Sequence, residues 1–85
     1  MLVKVSSAKE IGAWARTVRK AQKLDQVTAG SLAGNGLTFV SQFENGKPTV
    51  QLEKALHMLE TLGLHVYLDV PEQGVDFEHD EWTSN

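Results

Sequence analysis

With 85 residues, the chain has room for one small core, because so short a polymer buries only about 60% of its unfolded surface on folding. It contains no cysteine, which excludes disulfide staples and thiolate metal sites, so the stabilisation that such a core still lacks is expected from a second copy. The net charge of −3 is unevenly spread: residues 1–65 hold all eight Lys and Arg against Glu10, Asp25, Glu44, Glu53 and Glu60, whereas the remainder holds Asp69, Glu72, Asp76, Glu78, Asp80 and Glu81 with no base. A weakly basic domain followed by an acidic end is compatible with a nucleic-acid partner without demonstrating one. No apolar run approaches the ~20 residues of a membrane span, and Met1–Val5 lacks the form of a signal peptide, so a cytoplasmic protein is expected.

In chain order, Met1–Val5 is too short to distinguish strand from coil. Ser7 followed by Glu10 forms a capping box, and Ile11, Trp14, Ala15 and Val18 then recur at the spacing of a buried helical stripe, with Trp14 expected in the core. Lys9, Arg16, Arg19, Lys20 and Lys23 fall mainly on the other faces. Asp25 caps a second predicted helix, Gln26 to Ala33, which ends at Gly34-Asn35-Gly36. A third helix, Leu37 to Glu44, buries Val40 and Phe43 and stops at Asn45-Gly46-Lys47-Pro48. Thr49 is expected to cap a fourth, in which Leu52, Ala55, Leu56, Leu59 and Leu62 form a wide apolar face and Gly63 supplies the stop. Leu64, Val66, Leu68 and Val70 alternate with polar or aromatic neighbours up to Pro71, which predicts a strand. A lone strand must pair, either with the N-terminal segment or with its own copy across a two-fold axis, and the second option also supplies the dimer. Residues 1–70 therefore read as one domain, and residues 71–85 as an acidic tail without periodicity, expected to be disordered.

Two short helices joined by a glycine turn, the second exposing small polar groups, suit entry into a DNA major groove. Thr38, Ser41 and Gln42 would face base edges and Leu37 a thymine methyl, while Gln26 meets a phosphate at a helix N-terminus and Arg19, Asn45 and Lys47 contact the flanking backbone. The plain alternative is a surface helix in an ordinary bundle. Glu44 reads as structural, paired with a base such as Arg19. His57, His65 and His79 are too scattered for a metal site, and no nucleophile–base set or phosphate-cradling loop is present, so neither an enzyme nor a cofactor is expected. Phe77 and Trp82 in the acidic tail are either idle or anchors for a protein partner; the tail's acids could also mimic DNA charge.

Leu24-Asp25-Gln26, Ala29-Gly30, Leu32-Ala33-Gly34, Val40-Ser41 and Glu44-Asn45-Gly46-Lys47-Pro48 resemble, without a gap, the Xre/Cro/lambda-repressor-like helix-turn-helix proteins. The Gly-Lys-Pro-Thr turn, the Leu-rich helix ending Leu62-Gly63-Leu64 and the following predicted strand are most similar to HipB-type antitoxins. The resemblance covers residues 7–70. It implies a mainly α bundle of four to five helices with a short C-terminal strand pairing across a homodimer. It also implies binding to an inverted-repeat operator in double-stranded DNA, a bacterial, nucleoid-associated setting, and a HipA-type serine/threonine kinase toxin as partner. Gln26 would be a phosphate contact, and Leu37, Thr38 and Ser41 groove residues. Asn35 departs from the pattern where an apolar residue is usual, as does Gly36 where a polar cap or base-contacting residue is common. Three functions follow: an autoregulating antitoxin, a stand-alone repressor, or an interaction module that has lost DNA binding.

Overall fold

A computed structural model describes residues 1–76. It contains four helices, α1 (Ala8–Ala21), α2 (Gln26–Leu32), α3 (Leu37–Glu44) and α4 (Leu52–Thr61). Their starts are set by local chemistry. The Ser7 hydroxyl accepts from the Glu10 amide at 3.1 Å, and the Glu10 carboxylate reaches back to the Ser6 amide at 3.0 Å, one residue earlier than a standard capping box. Asp25 accepts from the Thr28 amide at 2.7 Å and so caps α2. The N-cap position is Gly36 for α3 and Gln51 for α4, neither with a side-chain cap bond, so Thr49 does not perform the capping expected of it.

The four helix ends share one device. In each, the amide two residues beyond the last helical residue returns to the carbonyl one residue before it, and the next amide returns one carbonyl earlier: Lys23 to Lys20 and Leu24 to Arg19, Gly34 to Ser31 and Asn35 to Gly30, Gly46 to Phe43 and Lys47 to Gln42, Gly63 to Glu60 and Leu64 to Leu59. This doubly bonded stop needs a left-handed residue. Glycine supplies it after α2, α3 and α4, but after α1 the residue is Lys23, at φ 59°.

The core consists of Ala15, Ala29, Ala33, Val40, Phe43, Ala55, Met58, Leu59 and Leu62. Its small residues let helices approach closely: a methyl on Gly12 of α1 would sit 2.2 Å from the Phe43 carbonyl oxygen. Large side chains are thereby displaced to the flanks of α1, and Trp14 is half-buried and outside the core cluster, contrary to expectation. Helix α4 is rotated from its expected face. It buries Ala55, Met58, Leu59 and Leu62, while Leu52 and Leu56 are 72% and 42% exposed. Leucines at several helical spacings define two candidate stripes, and only packing selects between them.

The strand expected at Leu64, Val66, Leu68 and Val70 does not form, nor does one at Met1–Val5: there is no strand among the described residues. Among those residues neither 1–5 nor 65–71 takes part in a backbone–backbone hydrogen bond. A strand exists only as part of a ladder, and one copy of the chain offers this segment no partner backbone. Phe77 and Trp82 lie outside the described residues, as does most of the expected tail. No helix of the described residues is long and apolar enough to cross a membrane.

Two substitutions test this account. Lys23→Gly relieves the left-handed strain and is expected to raise stability by about 0.5–1 kcal/mol. The Asn35 carboxamide nitrogen is buried without a hydrogen-bond partner among the described residues, so Asn35→Leu, of similar shape, is expected to add about 1 kcal/mol. Urea unfolding midpoints check both, and a lower midpoint in either variant contradicts the corresponding assignment.

Candidate nucleic-acid interface

Helix α3 is held from beneath by a buried polar network. Arg19 of α1 donates from Nε to Glu44 Oε2 at 2.6 Å and from Nη2 to Glu44 Oε1 at 2.9 Å, a two-pronged pair in which each residue is 6% exposed. The same guanidinium donates from Nη1 to the Leu24 carbonyl at 2.7 Å, fixing the corner between α1 and α2. Gln26, the first residue of α2, donates from Nε2 to Glu44 Oε1 at 3.1 Å. One carboxylate at the end of α3 therefore ties three helices together. The expected pairing of Glu44 with Arg19 is present. The expected phosphate role of Arg19 meets a guanidinium turned inward, with three of its N–H groups engaged.

The charges are mutually adjusted. Burial pushes the Glu44 carboxyl up, but hydrogen bonds from Arg19 and Gln26 and the positive charges of Arg19 and Arg16 outweigh it and leave the group below its ordinary value. The hydrogen bond with Glu44 raises Arg19 despite burial, so the guanidinium stays charged. Asp25 is lowered chiefly by the Thr28 amide that it caps.

Above this network, Val40 and Phe43 turn into the core and Phe39 stacks on Phe43 with ring centroids 5.8 Å apart. Leu37, 50% exposed, and Thr38 stand clear at the start of α3; Ser41 and Gln42 are half-buried one turn on; Asn45 and Lys47 are exposed beyond its end. Gln26 is half-buried beside Glu44. The groups singled out from sequence thus gather on α3 and its two ends. Two cations nearby were not singled out. Arg16 is exposed and close enough to act on Glu44, and the Lys9 backbone lies against Gly46, where an added methyl would sit 2.6 Å from the Lys9 Cα. Arg16 was legible as the residue one turn before the buried Arg19; Lys9 was not, because only the α1–α3 crossing brings it there. Among the described residues no group of three His, Asp or Glu could hold a metal ion.

No family model matches the chain. It is, however, 41% identical over 71 residues to the uncharacterized HTH-type transcriptional regulator y4mF of Sinorhizobium fredii, covering 84% of this chain and 93% of that protein. The chain belongs to the HTH-type transcriptional regulators. Solved structures share the fold at 21% identity: HipB in an O4 20mer complex, at a TM-score of 0.74 over 84% of this chain and all of that one, and HipB in a HipA–HipB–O2–O3 complex, at 0.75 over 84% and all of that chain. In this family member, α2, the turn at residues 33–36 and α3 form the helix-turn-helix.

Glu44 gives the family fold a defined pH response. Its folded value is depressed, so its contribution is fully present above the unfolded glutamate value near 4.3 and is lost as pH falls from there through the folded value. Glu44→Gln is expected to lower stability at pH 7 by about 2–3 kcal/mol, because Arg19 is left buried with a neutral partner. The difference should shrink below about pH 4, where the native side chain also becomes neutral. Thermal unfolding from pH 3 to 7 measures it; parallel curves for the two proteins would count against the buried pair.

Proposed function

We propose that the protein is a dimeric repressor that reads an inverted-repeat operator with α3 and acts by binding, without chemistry. The observation that carries this reading is the polar face of α3, exposed at Thr38 and half-buried at Ser41 and Gln42, held above the Arg19–Glu44–Gln26 network. Orientation is fixed before contact, so little ordering cost remains at binding. Leu37, Thr38, Ser41 and Gln42 are assigned to base edges and Asn45 and Lys47 to backbone phosphates. Gln26 keeps a second amide N–H for a phosphate while the first holds Glu44. Arg19 contributes through Glu44, as a positioning residue. Leu64, Val66, Leu68 and Val70 pair with their copies in the dimer, which supplies the ladder that one chain lacks.

The further reading is an antitoxin of the HipBA type that represses its own operon in the bacterial cytoplasm and neutralises a HipA-type kinase. It is supported by the likeness to HipB in the HipA–HipB–O2–O3 complex, with Phe77 and Trp82 proposed as partner anchors.

Fluorescence anisotropy with DNA from upstream of the gene, beside a scrambled duplex at two salt concentrations, tests the repressor. Selective binding is expected, with a log–log salt slope of about −0.9 per phosphate neutralised. Gln42→Ala should cost about 1–3 kcal/mol on the native site and much less on the scrambled one. Equal loss on both would remove base reading from α3, and absence of binding would favour an interaction module. Failure of an adjacent HipA-type kinase to bind, with operator binding intact, would leave a stand-alone regulator. Unchanged kinase affinity after deletion of residues 76–85 would release Phe77 and Trp82 from their role.

A further inference from the structure

One groove among the described residues lies away from α3, and it is mainly apolar. Leu2 and Val3 line it together with Leu64, Val66 and Tyr67, and the buried core residue Leu59 borders it; its volume is about 480 Å³. Both groups are also exposed outward, with Leu2 at 81%, Val66 at 57% and Tyr67 at 70%. Apolar side chains gathered in this way on so small a domain mark a contact surface.

We propose that this groove is the self-association site, and that Met1–Val5 of each protomer forms half of it by packing on residues 64–70 of a second copy. The inference rests on the dimer proposed above and adds the N-terminal segment to it. Three observations select a second copy as occupant. Both segments have backbone amides and carbonyls without partners among the described residues, so each can accept a strand and each can supply one. Their charges are complementary: residues 1–5 carry Lys4 and no acid, residues 64–70 carry Asp69 and no Lys or Arg. A core rich in alanine buries little apolar area per residue, which leaves a chain this short in need of a partner surface. The intrachain alternative, the two segments paired with each other, is not what the fold adopts: among the described residues no backbone hydrogen bond joins them, although both line the groove.

Sedimentation equilibrium of the full chain across a concentration series provides the test, with circular dichroism to confirm that each variant keeps its helices. Leu2→Asp combined with Val3→Asp should raise the dimer dissociation constant about tenfold or more, because charges enter an apolar contact. Val66→Asp should do the same. Lys4→Glu should weaken the dimer and Asp69→Lys in the same chain restore it. If the Leu2/Val3 variant dimerises within about twofold of the parent while Val66→Asp dissociates, the N-terminal half of the proposal is wrong and the dimer reading stands. A full chain that is monomeric throughout would overturn both.

Discussion

The pair between Arg19 and Glu44 is the constraint on which the remaining architecture depends. Taking both charges from water is costly, and their attraction repays it only because the geometry is two-pronged and the remaining lone pairs and donors find Gln26 and the Leu24 carbonyl. The result is directional in a way that apolar packing is not. A guanidinium and a carboxylate that meet in one plane fix how α1 lies against α3, and the bond from Gln26 fixes the first residue of α2 against the last of α3. The helix-turn-helix is thereby locked at the end remote from its turn, while the Gly30 and Asn35 contacts lock it at the turn itself.

Close approach is the second condition. At Gly12, α1 sits almost backbone to backbone with the end of α3, which the absence of a side chain in front of the Phe43 carbonyl permits. Ala15, Ala29, Ala33 and Ala55 extend the same solution through the core. Thin packing of this kind yields precision at modest stability, since methyl groups bury little area. It also explains why so much apolar side-chain surface remains outside, on residues 1–5, on α4 at Leu52 and Leu56, and along residues 66–70.

The molecule accordingly offers two different kinds of surface. That of α3 is polar, small in side chain and backed by a network that holds it still, which suits recognition of an edge pattern. That of the terminal segments is apolar with unpaired backbone, which suits pairing with another polypeptide. The first is proposed as the regulator's reading surface, and the second is where a copy of the chain is proposed to join.

What the sequence by itself determined is what depends on near neighbours. Ser7 with Glu10, Asp25 with Thr28, and glycines at positions 34, 46 and 63 act within four residues, so the starts of α1 and α2 and three of the four helix stops were legible, as was the exposure of Leu37 and Thr38 on α3. Tertiary structure decided whatever requires two distant segments. Leu52 and Leu56 fit an apolar stripe as well as Met58 does, and only the position of α2 and α3 chooses which stripe is covered. Trp14 has the spacing of a core residue, but Gly12 draws α3 in so close that the bulky ring is left at the edge. The pairing of Arg19 with Glu44 was legible, but that the whole guanidinium is turned inward, with its other donor on the Leu24 carbonyl, was decided by how α1 packs on α3. The alternation at residues 64–70 records a strand's side-chain pattern but not a ladder, because a ladder's hydrogen bonds belong to two backbones and one chain's local pattern specifies only its own.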